Sequence, residues 1–277
     1  RRLVLWVHDQ GVGRLRVLDR GEDGVWRRRT LFLETGRGSL GLSGAVSPGG
    51  ILGFLGNSNA LEGERYPLFH RASEPEGPWT ETKLYLKGSS KQPSERGRQV
   101  ALAFDEAGRA HGVFASGVLS PLYYGASREN LGLWDPFEPV DLDTAARFPS
   151  LFVETASGGH RVQVLYQDRN AGTLVRGTRT GGAWRIHRVD SCDVPAAPRL
   201  ASMPGGGVAL YALRREGGEE IRLASWRGAG RAVRVQALGR TLGSLGEGSL
   251  FLAVVPSGEL LGGWCAGDRL HWFRERS

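Results

Sequence analysis

The sequence has little cysteine, methionine or lysine and no long hydrophobic run. Its two cysteines among 277 residues are too few for a disulfide framework or a four-cysteine zinc site. No stretch reaches the roughly 18 uninterrupted apolar residues that a membrane-spanning helix requires. Cys192 lies in the polar segment DSCDVP, whereas Cys265 follows the apolar LLGGW and is expected to pack. The sequence leaves open whether the two thiols pair.

The short motifs that mark common catalytic and nucleic-acid-binding sites are also missing. There is no Gly-Lys-Ser/Thr phosphate loop, Gly-x-Ser-x-Gly elbow or dinucleotide-binding glycine fingerprint. The six histidines show no metal-ligand spacing. DRNAG, residues 168–172, begins like a calcium loop but lacks the later carboxylate, so a hairpin turn is favoured there. We therefore predict no metal, no cofactor and no nucleic-acid partner, with calcium as a weak alternative.

Positive charge exceeds negative charge, with 36 basic and 29 acidic residues and a net charge of +7. Nearly all of the basic residues are arginine, because lysine occurs only at Lys83, Lys87 and Lys91. The charge is dispersed and does not form a tail or a basic helix. It is compatible with an anionic partner, although coding composition and solvated outer strands also produce an arginine excess.

Glycine and tryptophan are abundant, with 42 and 8 residues, and the tryptophans recur in a pattern. The segments GVWRRRTLF, GPWTETKLY and GAWRIHRVD share a turn glycine, a tryptophan and alternation after it. Trp26, Trp79, Trp134 and Trp184 are about 50 residues apart, a spacing typical of a supersecondary repeat. Each tryptophan is predicted to open an outer strand.

A second recurring pattern lies upstream of each outer strand. Two apolar strands are joined by a glycine-containing turn, and the second ends in an aromatic residue, which is Phe54, Phe114, Tyr166, Tyr211 or Trp264. Apolarity on both faces indicates strands that are buried on both sides. These aromatic side chains are expected to pack between neighbouring sheets.

Each repeat thus predicts four antiparallel strands, with buried inner strands and a wetter outer one. This pattern indicates an all-β chain, a β-propeller of four-stranded blades. Six blades is the favoured count, and five or seven are alternatives, because the first and last segments each supply three strands. We predict a single domain over 1–277, with blades at about 1–33, 39–86, 100–141, 150–190, 199–238 and 249–277.

The segment SLFVETASGGHRVQVLYQDRNAGTLVRGTRTGGAWRIHRVD resembles the blades of bacterial β-propeller domains related to sialidase-type, or Asp-box, repeats. The resemblance implies a fold and no particular activity. The Asp-box itself is not reproduced, and RGEDGVW, residues 20–26, lacks its serine and threonine. The arginine-bearing N-terminal motif of sialidases is absent, so no catalytic residue is carried over and the catalytic residues are unknown.

Ligands of propellers usually bind at the face built from the loops between second and third strands and from the connections between blades. His8 and Asp9 rank first there, because they end the strand VLWVHD. The complete set of candidate ligand-binding residues is His8, Asp9, Asn57, Glu64, Asp168, Arg169, Arg214 and Asp268.

The function that these observations favour is recognition without catalysis, with an acidic glycan, a surface polymer or a protein as partner. One alternative is an enzyme, such as a glycoside hydrolase, with its site at the central channel. Another is an assembly subunit whose incomplete terminal blades are completed by a second chain; otherwise we expect a monomer. The chain begins directly with the strand-like RRLVLWVH, and we expect it to act as a secreted, periplasmic or cell-surface protein.

Overall fold

The computed structural model describes strands, turns and bridges. Its described residues contain no helix, and hence none long and apolar enough to cross a membrane. Those residues are 3–9, 14–20, 23–32, 42–57, 67–73, 77–84, 96–116, 121–128, 132–156, 159–193, 196–203, 206–228, 232–242, 244–246, 249–255 and 258–275.

The chain divides into two compact units, and unit 1 spans Arg1–Leu142. It contains sheet 1 (β1–β3), sheet 2 (β4–β7) and sheet 3 (β8–β11). The strands are β1 Leu3–Asp9, β2 Arg14–Arg20, β3 Trp26–Phe32, β4 Leu42–Val46, β5 Leu52–Asn57, β6 Pro67–Ala72, β7 Thr80–Lys83, β8 Arg96–Phe104, β9 Ala110–Ser116, β10 Leu122–Ala126 and β11 Glu138–Asp141.

Unit 2 spans Asp143–Ser277. It contains sheet 4 (β12–β15), sheet 5 (β16–β19) and sheet 6 (β20–β22). The strands are β12 Ala146–Ala156, β13 Gly159–Asp168, β14 Thr173–Thr180, β15 Ala183–Ser191, β16 Arg199–Met203, β17 Gly206–Arg215, β18 Gly218–Arg227, β19 Arg234–Thr241, β20 Leu250–Val254, β21 Leu260–Ala266 and β22 Arg269–Glu275.

All six sheets formed by the described residues are antiparallel meanders, in which each strand pairs with the next strand of the chain. Within the part of the chain that the structure describes, sheets 2 to 5 have four strands and sheets 1 and 6 have three, the number predicted for the terminal segments. The prediction of an all-β chain built from repeated small sheets is confirmed.

A glycine pair makes one of the tight turns that this architecture needs. Gly181 and Gly182 join β14 to β15 with φ angles of 61° and 84°, and Thr180 pairs with Ala183 across them. Two consecutive positive φ values define the hairpin turn whose twist matches that of the flanking strands, and glycine adopts them without strain.

The core of unit 2 lies between its sheets. Leu165 and Leu174 of sheet 4 pack with Tyr211 and Trp226 of sheet 5. The opposite face of sheet 5 packs against sheet 6 through a cluster that includes Val208, Leu210, Ile221, Leu223, Leu250, Leu260 and Trp264. Sheet 5 therefore buries both of its faces.

The core of unit 1 follows the same rule. Leu55 and Phe69 of sheet 2 form one cluster with Val100, Leu102 and Phe114 of sheet 3. The aromatic residues predicted to pack are buried, with relative exposures of 0% for Phe54, Tyr166 and Tyr211, 1% for Phe114 and 7% for Trp264. Their spacing in the sequence is therefore a packing pattern.

The repeated tryptophans mark outer strands, as predicted. Trp26 begins β3 and Trp184 is the second residue of β15, each the last strand of its sheet. Trp79 directly precedes β7, and Trp134 forms an isolated bridge with Ser127 shortly before β11.

The two cysteines have the opposite burial from the one expected. Cys192 is buried and Cys265 is exposed, and the two are not joined by a disulfide. The Cys192 backbone N–H donates to the Gly172 carbonyl at 2.8 Å, and its Sγ lies 3.4 Å from the Ala212 carbonyl oxygen. Contacts with Gly172 and Ala212 thus bury Cys192. The polarity of the surrounding sequence does not indicate this burial.

His70 is a buried titratable group in sheet 2. It is 4% exposed, and its ring stacks on Phe54 with centroids 4.4 Å apart. Burial lowers the pKa of the imidazole from 6.5 to about 4, because the charged form loses its hydration. The half-exposed Glu81 carboxylate, at 3.8 Å, is too distant for a hydrogen bond that would offset this.

We expect the stability of the protein to fall as the pH is lowered from about 6.5 to about 4. In this window unfolded His70 binds a proton while the folded imidazole stays neutral, so protonation favours the unfolded state by about 3 kcal/mol at pH 4. In urea unfolding, His70→Phe should lose this part of the pH dependence, and the exposed control His271→Phe should keep it. An unchanged profile in His70→Phe would contradict the assignment.

Candidate functional site in unit 2

The predicted site residues fall into two groups in the structure. His8 and Asp9 are the last two residues of β1, and Asn57 is the last residue of β5. The structure describes their backbone and not their side chains, and Glu64 lies outside the described residues. Whether these four contact a ligand stays a prediction. The side chains that can be placed all belong to unit 2, and they are Asp168, Arg169, Arg214 and Asp268.

These four residues lie at the hairpins that join second and third strands, residues 169–172, 216–217 and 267–268. The connections between sheets reach the same end of unit 2. Asp193 Oδ1 accepts a hydrogen bond of 3.1 Å from the Arg214 backbone N–H, and Glu219 Oε2 accepts one of 2.9 Å from the Leu245 N–H. We call this region the hairpin end of unit 2.

Asp168 organises its own turn. Its Oδ1 accepts hydrogen bonds from the backbone N–H groups of Asn170 at 3.0 Å and Ala145 at 3.3 Å. The Arg169 N–H donates in turn to the Ala145 carbonyl at 3.1 Å. DRNAG thus forms the β13–β14 hairpin, and among the described residues no group of three or more His, Cys, Asp or Glu side chains could hold a metal ion.

The other predicted residues are exposed at this end. Arg169 and Arg214 are exposed, and Asp268 is exposed in the turn next to Gly267, whose φ is 62°. The four residues therefore mark three successive hairpins, and hydrogen bonds of Asp168 and Arg214 tie two of these hairpins to the connections that precede β12 and β16.

A charged network that the candidate list does not include lies beside these hairpins. Tyr211 donates its hydroxyl proton to Asp190 Oδ2 at 2.5 Å, and Arg222 Nη1 donates to the same oxygen at 2.7 Å. The Ser191 N–H donates to Asp190 Oδ1 at 2.8 Å. This carboxylate of β15 thereby joins sheet 4 to sheet 5.

Glu220 extends the network towards solvent. Its carboxylate accepts a hydrogen bond of 2.5 Å from Arg222 Nε. Arg240 Nη2 lies 3.6 Å and Arg215 Nε 3.8 Å from its other oxygen. Three guanidinium groups therefore surround one carboxylate.

The network fixes the protonation states of its members. Partial burial opposes ionisation of Asp190, but hydrogen bonds from Tyr211 and Arg222 outweigh it and lower the pKa of this carboxyl. The hydrogen bond from Arg222 lowers the pKa of Glu220. Burial, together with the adjacent Asp190 carboxylate, raises the pKa of the Tyr211 hydroxyl well above 10. Both carboxyls are thus anionic at neutral pH, and the phenol is neutral.

The charged side chains of the network differ in exposure. The Glu220 side chain is 11% exposed, whereas those of Arg215 and Arg240 are 41% and 67% exposed. Asp190 and Arg222 lie between these values, at 20% and 21%, so Arg215 and Arg240 are the exposed members of the network. This end of unit 2 presents guanidinium groups that a carboxylate or sulfate could engage.

Sequence reasoning missed this network for identifiable reasons. The aromatic pattern predicts only sheet packing for Tyr211, and no motif singles out Glu220 or Arg222. The network depends on the register of the strands, which the sequence does not show. Tyr211 pairs across the strands with Arg222, and Glu220 pairs with Arg240.

No protein-family model matches the chain. No curated protein matches it either. Solved structures do match in fold. The Aleuria aurantia lectin, in complex with Fucα1-6GlcNAc, matches with a TM-score of 0.60 and 12% identity over 99% of this chain and 88% of that chain. A protein of unknown function from Dyadobacter fermentans matches with a TM-score of 0.64 and 13% identity over 95% and 84%.

A sialidase, Hadza microbial sialidase Hz136, matches with a TM-score of 0.53 and 14% identity over 91% of this chain and 61% of that chain. At these identities the similarity defines the fold alone. The chain has the all-β propeller fold that its repeats predict, a fold that it shares with this lectin and this sialidase.

We expect Arg222 to be the residue that stabilises the network. Arg222→Ala would leave Asp190 and Glu220 without their shared cation and lower the free energy of unfolding by about 2–3 kcal/mol. Arg222→Lys should recover only part of this, because an ammonium group cannot bond both carboxylates as a planar fork does. Urea unfolding measures the difference.

A matched control is Arg227→Ala, at the exposed opposite end of β18, which should change stability by less than about 0.5 kcal/mol. If Arg222→Ala is as mild as this control, the network does not stabilise unit 2.

Proposed function

We propose that the chain is a glycan-recognition protein that binds an acidic glycan, without cleaving it, at the hairpin end of unit 2. The observation that carries this proposal is the exposure of the Arg215 and Arg240 side chains beside the mostly buried Glu220 carboxylate. The propeller fold shared with a lectin supports the class of ligand and does not identify it.

The two outer arginines suit an anionic ligand. Each lies more than 3.5 Å from Glu220, so this carboxylate orients both guanidinium groups without taking up their N–H donors in short hydrogen bonds. A guanidinium group carries five donors in a planar fork that fits a carboxylate or sulfate. The exposed Arg214 adds a further cation at the same hairpin.

The protonation states of the network favour binding over hydrolysis. A glycoside hydrolase needs one carboxylic acid that stays protonated to donate to the leaving oxygen, whereas the pKa values of Asp190 and Glu220 are both lowered. A tyrosine nucleophile would need an accessible, activated oxygen. Tyr211 is fully buried, and its pKa is raised. Catalysis by these three residues is therefore disfavoured.

The proposal predicts salt-dependent binding of acidic oligosaccharides. In calorimetric titrations we expect sulfated or uronic-acid oligosaccharides to bind in 50 mM salt and more weakly in 300 mM salt, as charges are screened. Arg215→Ala/Arg240→Ala should weaken binding at least about tenfold, because two charge-assisted contacts are lost. Any binding of neutral dextran oligosaccharides should be the same in both salts and in Arg215→Ala/Arg240→Ala.

The matched control is Arg185→Ala/Arg227→Ala, which removes two exposed arginines near the opposite ends of β15 and β18. It should leave affinity within about twofold of the parent. Equal losses in the two double variants would mean that net charge alone attracts the ligand. Failure of every acidic glycan to bind would favour a protein partner or assembly role instead.

A further inference from the structure

Unit 1 contains an open cleft of about 350 Å³ between the outer strand of sheet 2 and the segment that leads into β11. Thr82 and Lys83 of β7 form one wall, and Trp134, Asp135 and Phe137 form the other. A volume at the lower end of the range for small-molecule sites fits a ligand of about one sugar ring. We call it the aromatic cleft.

Two glycines seat the aromatic rings of this cleft on sheet 3. Gly112 of β9 and Gly125 of β10 are cross-strand partners. A Cβ at Gly112 would lie 3.3 Å from the Trp134 ring, and a Cβ at Gly125 would overlap the Phe137 ring. Glycine in a strand interior is unfavourable. Its presence at both positions is explained by the two aromatic rings, which occupy the space that a larger side chain would need.

The rings are also held from the side. Trp134 meets Phe69 edge to face at 5.2 Å, and Phe137 meets Phe114 in the same way at 5.0 Å. The two rings stack on each other at 6.0 Å. The two rings are therefore preorganised, and ligand binding would cost little side-chain conformational entropy.

The polar rim of the cleft is fixed as well. The Asp135 N–H donates to the Ala126 carbonyl at 2.8 Å. Its carboxylate accepts a hydrogen bond of 3.2 Å from Arg128 Nε and lies 3.5 Å from Arg109 Nη2. Its side chain is still 46% exposed, so lone pairs remain for a ligand. The Trp134 Nε1 is buried and has no hydrogen-bond acceptor among the described residues.

We propose that the aromatic cleft binds a neutral pyranose, with the C–H face of the sugar against Trp134 and Phe137 and a hydroxyl donating to Asp135. A sugar ring combines one apolar face with hydroxyls at its edge, which matches an aromatic wall beside a carboxylate. A cationic ligand fits worse, because Lys83, Arg109 and Arg128 outnumber the single carboxylate. This site is separate from the hairpin end of unit 2, and neither proposal depends on the other.

The test is a titration of the full chain with methyl glycosides of neutral hexoses, 6-deoxyhexoses and pentoses, followed by the indole N–H signals in NMR spectra. We expect at least one glycoside to shift the Trp134 signal, which Trp134→Phe identifies by its disappearance, with an affinity that salt does not change. Asp135→Asn and Phe137→Leu should each weaken binding about tenfold, through the lost carboxylate and the smaller apolar face.

Two controls separate this site from other aromatic and charged surfaces. Trp272→Ala removes a tryptophan of β22 that is 65% exposed, and Arg215→Ala/Arg240→Ala removes the proposed acidic-glycan site. Both should leave the affinity unchanged. Phe137→Leu can perturb the core, so Asp135→Asn, confirmed as folded by its unfolding midpoint, is decisive. An affinity in Asp135→Asn equal to that of the parent, or no shift with any neutral glycoside, overturns the proposal.

Discussion

Burial of both faces of sheet 5 is the constraint on which unit 2 depends. Tyr211 faces sheet 4 and packs in the cluster that contains Leu165, while its neighbour Leu210 faces sheet 6 and packs with Leu260. A strand that is covered on both sides cannot alternate between apolar and polar residues, so its apolar run is continuous. Solvated side chains are confined to the outer strands and to the ends of the sheets.

Two of the polar groups that enter these interfaces make specific contacts. The Trp226 indole donates to Gln163 Oε1 at 2.7 Å, and the Arg176 guanidinium lies 4.8 Å above the Trp226 ring. An isolated charge would cost too much there. Asp190 and Arg222 pair near the hairpins, where water reaches one side of the contact. Charge is therefore concentrated where loops can vary without disturbing the core.

The same constraint explains what the sequence could and could not predict. Continuous apolar runs and the Gly181-Gly182 turn specify strands locally, so the fold class and repeat were predictable. The charged network could not be predicted. The alternating pattern of β18 assigns Arg222 to one face of the strand, but it does not show which sheet packs against that face. The burial of Cys192 was also missed, since it depends on a connection folding under a hairpin.

Mid-strand glycines carry information that composition hides. Gly207 lies within a strand and accommodates the ring of its cross-strand partner Trp226. Gly262 accommodates the ring of its cross-strand partner Phe273 in the same way. An aromatic ring laid over a glycine restores the packing that the missing side chain would have supplied. In sheet 5 that ring is buried, whereas the rings seated over the Gly112 and Gly125 pair border open space. The same arrangement of a ring over a glycine therefore forms part of the core in sheet 5 and the wall of a cleft in sheet 3. The difference is whether a neighbouring element covers the ring.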